Sequence, residues 1–287
     1  MESITSRQNR FVRACRDLAA RPDPDGARVL LDGVHLIRDA HAAGCEFEFV
    51  GITSSRLDAH TEERDLAEQL ESAGAPVFDV TDSAFSALSP VRTPSGMVAI
   101  ALRTPTDASS IAQHPGGLVL VVMDIQDPGN LGAVIRVAEA GGASGVLVAG
   151  ASAHPFSWKA LRGGMGSTLR LPVACVSDAE SCLQELRRAG FRTVAAIPAG
   201  GREPDAIEWT GPVALVLGGE GAGLPDAVTL ACNEHVTIPM ATSVESLNVA
   251  VAAGIVVYAA RRQRVAGDAG RRSPDSSHTR ETHRGYK

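Results

Sequence analysis

Apolar residues in this chain gather in short unbroken runs, set between stretches whose apolar positions recur at helical spacing. Runs of that length bounded by glycine, proline and polar residues predict buried strands. In the first part, strands are predicted at 29–31, 47–52, 77–80 and 97–102, and helices at 10–20, 34–43 and 62–73. In the second part, strands are predicted at 118–123, 145–149, 171–175, 193–197, 213–217 and 235–239. Helices are expected between them, with a long one near 243–262. The alternation predicts an α/β protein. Residues 1–103 form one α/β unit, the polar, proline-containing 104–117 a linker and 118–262 a second α/β unit. The segment 263–287 has no apolar periodicity and is expected to be a disordered basic tail.

Three of the predicted strands lead into glycine-rich or polar loops: DIQDPGNLGAVIRV (124–137), GGEGAGLP (218–225) and IPMATSVESLN (238–248). Loops at the carboxyl ends of parallel strands collect on one edge of an open sheet, where ligands bind. Asn130, Arg136, Glu220, Ser246 and Asn248 are therefore expected to meet.

Each motif also has a structural reading. Asp127-Pro-Gly-Asn130 favours a turn. Arg136 lies among apolar residues and glycine, so it requires either a buried anionic partner or an opening to a cleft. Glu220 is set among four glycines, which suits a turn as well as close approach to a ligand. Thr242 and Glu245 fit a capping box ahead of the last helix. That helix (Val249 to Val257) is apolar on every face, which calls for a second covering surface and hence a dimer. Lys159 and Arg162 precede the glycines of Gly163-Gly-Met-Gly-Ser167 and suit either a phosphate grip or an exposed loop.

Composition narrows the class. No stretch approaches the ~20 apolar residues of a membrane span, and the N-terminus lacks the apolar core of a secretion signal. The five cysteines are scattered without a CxxC pair, and the eight histidines show no metal-ligand spacing, so a reduced cytoplasmic protein without a metal is expected. The net charge of −6 hides an asymmetry: from Arg261 to the end, eight basic and three acidic residues give +5. Net charge therefore neither demands nor excludes a nucleic-acid partner. P-loop, Rossmann and GxSxG signatures are absent.

Together these residues resemble the SpoU (TrmH-like) family of RNA ribose 2′-O-methyltransferases, in the SPOUT superfamily. The likeness rests on Asp127-Pro-Gly-Asn130-Leu-Gly…Arg136, Leu217-Gly-Gly-Glu220-Gly…Leu-Pro225 and Ile238-Pro-Met240…Ser246-Leu-Asn248, with Lys159…Arg162-Gly…Ser167 between them. Ser6-Arg-Gln-Asn9…Arg13, Leu30-Leu-Asp-Gly33 and Thr93-Pro-Ser-Gly-Met97 resemble an attached L30e-like substrate-binding domain. Asp32 stands where that domain usually has Glu, Ser95 where Gln is common, and Val137 where the family has Thr or Ser.

The resemblance implies a C-terminal trefoil knot and a homodimer. It implies an enzyme that transfers a methyl group from S-adenosylmethionine to RNA, with ribosomal RNA the expected substrate. Transfer RNA and a non-catalytic RNA-binding assembly factor on the same fold are the alternatives. Catalytic roles fall to Arg136, Asn130, Glu220, Ser246 and Asn248. Cofactor contacts fall to Leu217, Gly218, Gly219, Ile238, Met240 and Leu247, and RNA contacts to Arg7, Asn9, Arg13, Lys159 and Arg162.

Overall fold

A computed structural model of the chain describes residues 1–58, 62–91, 93–113, 117–221, 223–241 and 244–271, with backbone alone for 268–271. The first unit runs β1 (Glu2–Ile4), α1 (Arg10–Ala20), β2 (Arg28–Asp32), α2 (Val34–Ala42), β3 (Glu46–Thr53), α3 (Ser54–Asp58), α4 (Glu62–Ser72), β4 (Val77–Val80), α5 (Asp82–Leu88) and β5 (Met97–Leu102). Its strands form one mixed sheet, ordered β1-β4-β3-β5-β2. Strands β1, β4 and β3 run parallel, and β5 is antiparallel to both β3 and β2.

The segment expected to be a plain linker contains a short helix, α6 (Ala108–Ala112). Asp107 caps it, and Ile111 is buried against Gly145. The second unit follows as β6 (Leu118–Met123), α7 (Pro128–Gly141), β7 (Gly145–Ala149), α8 (Trp158–Gly164), α9 (Ser167–Arg170), β8 (Val173–Cys175), α10 (Ala179–Arg188), β9 (Arg192–Ala196), a 3-10 turn (Pro204–Ala206), β10 (Val213–Leu217), α11 (Asp226–Ala231), β11 (Glu234–Val236) and α12 (Val249–Arg271). All six of its strands are parallel, in the order β11-β9-β10-β6-β7-β8. Strands β6, β7 and β10 are buried along their whole length, as unbroken apolar runs require when helices cover both faces.

The order of strands places the site. From β6 the chain winds outward through β7 and β8, then crosses to the other side, where β10 pairs with β6. The sheet therefore reverses direction between β6 and β10. Loops leaving the carboxyl ends of those two strands diverge and leave a crevice.

The two units share an apolar core, which runs from Val29 and Leu31 of β2 to Leu161 of α8 and on to Leu120 of β6. Arg103 braces this seam. Its guanidinium lies 3.9 Å from the centroid of the Phe156 ring and donates to Gly26 O (3.0 Å).

Two expectations about the C-terminus are corrected. The chain does not lose regular structure at Gln263, because α12 continues to Arg271. The Gln263 side chain explains part of this: it accepts from the Trp209 amide (2.9 Å) and donates to Ile207 O (2.9 Å). Residues 272–287 lie outside the described residues. The helix also begins later than expected, at Val249. Asn248 caps it, its Oδ1 accepting from the amides of Ala250 (3.0 Å) and Val251 (3.4 Å). Glu245 thus precedes the helix and is not part of a capping box; Thr242 lies outside the described residues. Ser246 and Asn248, which fall inside the helix expected near 243–262, likewise stand before it.

Candidate active site at the β6–β10 crevice

Asp127-Pro-Gly-Asn130 opens α7. The Asp127 carboxylate caps the helix by accepting from the Asn130 amide (2.8 Å), Pro128 occupies the first turn, and Gly142 closes the helix with φ +80. This leaves the Asn130 side chain free to point away from its own helix. Its Nδ2 donates to the Glu220 carboxylate, and its Oδ1 accepts from Asn248 Nδ2 (3.1 Å). Asn248 Nδ2 also lies 3.4 Å from Glu220 Oε1. Loops from three separate strands thereby close one hydrogen-bonded triangle, and both ends of each amide are used.

Behind the triangle lies a cleft of about 720 Å³. Leu217, Gly218, Gly219, Glu220, Ile238, Met240, Ser246, Leu247 and Asn248 all line it. The expected cofactor residues and three of the five expected catalytic residues, Glu220, Ser246 and Asn248, therefore share one cavity, and Asn130 is tied to two of these three by hydrogen bonds. The sequence reading missed Ala196 at the end of β9, Ile197 and Pro198 just beyond it, and Asp226 and Thr229 of α11. The first three were within reach of the same argument, since β9 is parallel to β10 and ends at the same edge. No sequence signal singles out Asp226 or Thr229.

The glycines of this loop approach other parts of the protein's own backbone. A β-carbon on Gly218 would lie 2.4 Å from the Gly223 carbonyl carbon. Gly221 (φ +94) and Gly223 (φ +68) supply the left-handed turns that return the chain to Pro225.

Arg136 is not among the residues lining the cleft. It is exposed on α7 and makes no hydrogen bond or ion pair with a described residue, so the buried ion pair considered above does not form. The polar carriers of the Lys159–Ser167 stretch are also separated from its glycines. Gly163 and Gly164 pack against Gly129 and Gly132 and let α8 lie directly on α7. Lys159 Nζ sits 5.5 Å from the Trp158 ring centroid, and Arg162 is exposed near Asp32. Burial pushes the Asp32 carboxyl up, while Ser89 Oγ, donating at 2.6 Å, opposes that.

The remaining expected RNA contacts lie in the first unit. Asn9 is the cap of α1, its Oδ1 accepting from the Phe11 amide (2.8 Å). Arg7 donates to Ser83 O (2.9 Å), and Arg13 is exposed with no partner among the described residues.

A parallel α/β sheet with a polar triangle and an apolar cleft at its reversal point defines a ligand-binding α/β enzyme class. Comparison with known proteins gives the family. Residues 117–258 match the model of the SpoU rRNA Methylase family. An uncharacterised tRNA/rRNA methyltransferase of Synechocystis is 33% identical over 91% of this chain and 94% of its own length. The Bacillus subtilis 23S rRNA (guanosine(2553)-2′-O)-methyltransferase RlmP is 30% identical, over 90% and 98%. Among solved structures, the SpoU methyltransferase AviRb of Streptomyces viridochromogenes in complex with AdoMet superposes with a TM-score of 0.81 at 28% identity, covering 90% of this chain and 99% of its own. The AdoMet-bound rRNA methyltransferase of Sinorhizobium meliloti gives 0.79 at 29%, covering 91% and 97%. The chain belongs to the SpoU rRNA methylase family and is an S-adenosylmethionine-dependent RNA (ribose-2′-O) methyltransferase.

Proposed function

We propose that the protein methylates a ribose 2′-hydroxyl of ribosomal RNA, with the cofactor in the 720 Å³ cleft and the Asn130–Glu220–Asn248 triangle at the reacting end. The triangle carries the proposal: in it, side chains of all three loops meet beside the cleft. The lining fits the cofactor's chemistry. Leu217, Ile238 and Leu247 offer apolar walls to a purine, backbone amides and carbonyls of Gly218 and Gly219 offer neutral polar contacts, and the Glu220 carboxylate offers a negative charge to a cationic group.

When bound, S-adenosylmethionine supplies an electrophilic methyl group on a sulfonium. The task of the chain's own residues is orientation. Asn130 and Asn248 fix the carboxylate of Glu220, and Ser246 adds a hydroxyl on the same lip. Arg136 is exposed and has no side-chain partner among the described residues, and a guanidinium carries its charge at neutral pH. It is therefore suited to hold an RNA phosphate through its planar fork and not to take a proton.

Residues 1–103 are read as an L30e-like domain that selects the RNA, presenting Arg7, Arg13 and the capped start of α1, with Lys159 and Arg162 of the second unit as further RNA contacts. The ribosomal target is favoured by the likeness to RlmP over 90% of the chain. A homodimer and a trefoil knot around the cleft belong to the same reading. The dimer is supported by the stripe Val251, Ile255 and Tyr258 on α12, exposed at 52%, 41% and 46%. Apolar side chains at this helical spacing call for a partner surface. Among the described residues no helix is long and apolar enough to cross a membrane, and all five cysteines are free, which supports a cytoplasmic setting.

The test is transfer of tritium from labelled S-adenosylmethionine into total RNA lacking the modification, with the labelled nucleotide mapped by nuclease digestion. Label at one ribose 2′-O position of ribosomal RNA supports the proposal. Label confined to transfer RNA overturns the choice of substrate. Absence of both label and cofactor binding overturns the enzyme reading.

A further inference from the structure

Beyond the three motif loops, one wall of the cleft is built from Ile197 and Pro198, which follow β9. This wall has little stiffness of its own. Proline has no backbone N–H with which to tie itself down, and the next residues are Ala199, Gly200 (φ +84) and Gly201. The neighbouring strand supplies the ties. Ile197 N–H donates to Val236 O (2.9 Å), Arg202 N–H to His235 O (2.9 Å) and Thr237 N–H to Arg202 O (2.8 Å). Between these backbone ties sits a single side chain. Thr237 Oγ1 donates to Ile197 O (3.0 Å) and accepts from Gly201 N–H (2.9 Å), closing the loop at both ends.

The extended chain here alternates its faces. Val236, Ile238 and Met240 line the cleft, whereas Thr237 does not. Its hydroxyl reaches the cleft only through the loop it fastens. The fit is close, because a β-carbon on Gly201 would lie 2.7 Å from Thr237 Oγ1 and 2.8 Å from the Val236 carbonyl carbon.

We propose that Thr237 is a positioning residue for the cofactor: its hydroxyl staples the Ile197–Gly201 loop so that Ile197 and Pro198 form a preset wall of the S-adenosylmethionine site. The inference rests on reading the cleft as the cofactor site. A wall held in place before binding spares the cofactor the entropy of ordering it. The staple therefore acts on cofactor affinity, while the methyl-transfer step depends on the Asn130–Glu220–Asn248 side.

The test compares wild type, Thr237→Val and Thr237→Ser by calorimetric binding of S-adenosylmethionine, by hydrogen exchange of 197–202 without cofactor, and by kcat at saturating cofactor. Valine keeps the shape, removes the hydroxyl and leaves a half-buried amide and carbonyl without their side-chain partner. The expected result is a Kd raised about tenfold, faster exchange at Gly201, and kcat within about twofold of wild type. Thr237→Ser keeps the hydroxyl and should bind within about twofold of wild type. Unchanged affinity and exchange in Thr237→Val overturns the staple. If the valine variant does not fold, a tenfold loss in Thr237→Ser overturns it, since the hydroxyl would then not be what matters. Wild type that fails to bind the cofactor overturns the reading of the cleft itself, and that outcome is seen before any variant is compared.

Discussion

The α-carbon of Gly219 is pressed against the backbone carbonyl of Asp124: a β-carbon there would stand 2.0 Å from Asp124 O. This contact joins the ends of β10 and β6, and so joins the loop that carries Glu220 to the loop that carries Asn130. Asp124 is itself held in a left-handed conformation (φ +58), with its carboxylate accepting from the Ala151 amide (2.7 Å). Gly219→Ala should separate the two loops, at a stability cost of about 1–3 kcal/mol, and lower methyl transfer by more than about tenfold. Thermal melting and single-turnover transfer measure the two effects; normal transfer would show that the contact does not set the site.

Asp124 allows a companion experiment. Asp124→Gly relieves the positive φ but removes the carboxylate, whereas Asp124→Asn tolerates the same backbone and keeps an acceptor for Ala151. Asn should therefore retain most of the activity and Gly should lose it. The opposite order, read from initial rates, would make backbone conformation the decisive factor.

Asn130, Glu220 and Asn248 form a closed triangle, so their substitutions are not expected to add. Asn130→Ala and Glu220→Gln should each reduce transfer, and the double variant should fall short of the product of the two by a coupling of about 0.5–3 kcal/mol. A double-mutant cycle on kcat/KM measures this. Strict additivity would mean that the hydrogen bond between them plays no part in the reaction.

Arg136 has no side-chain partner to lose among the described residues. Arg136→Ala should leave stability within about 0.5 kcal/mol of wild type while reducing methyl transfer about a hundredfold or more. Arg136→Lys preserves the charge but not the fork, and should recover only part of the loss. Full activity in the lysine variant would refute bidentate phosphate holding.

The seam between the two units carries a pH-dependent element. Arg170 reaches Glu139 through two bonds (2.7 and 2.9 Å) and Asp39 of the first unit at 3.2 Å. The guanidinium holds the Glu139 carboxyl below its ordinary value near 4.5, against a smaller opposing effect of burial. A depressed carboxylate contributes stability that is fully present above that ordinary value and is lost as pH falls through the depressed one. Both groups are partly exposed, so Glu139→Gln should cost only about 0.5–1 kcal/mol at pH 7 and progressively less as the pH drops below about 4. Denaturant melts at the two pH values test this; a cost independent of pH would remove the ion pair from the account.

Strands β6, β7 and β10 lie where their apolar runs predicted, at 118–123, 145–149 and 213–217. A central strand must be apolar on both faces, and few other segments can be. Strand β1 escaped notice because its three residues offer one apolar side chain, Ile4, and no period. Asn248 was expected at the site and lines the cleft, but its role as the cap of α12 was not legible. Thr242 and Glu245 offer an equally good local pattern, and only the packed path of the chain decides which residue ends beside the helix.

The sequence by itself determined the α/β alternation, the family motifs and the set of loops that converge, because strand burial and glycine geometry are local demands written in residue type. Tertiary structure decided the rest. It put Asn130 against Glu220, gave the glycines of α8 to helix packing, carried α12 on to Arg271 and left Arg136 exposed. Those outcomes depend on distances between segments many residues apart, and such distances are fixed by strand order and core packing and not by any local pattern.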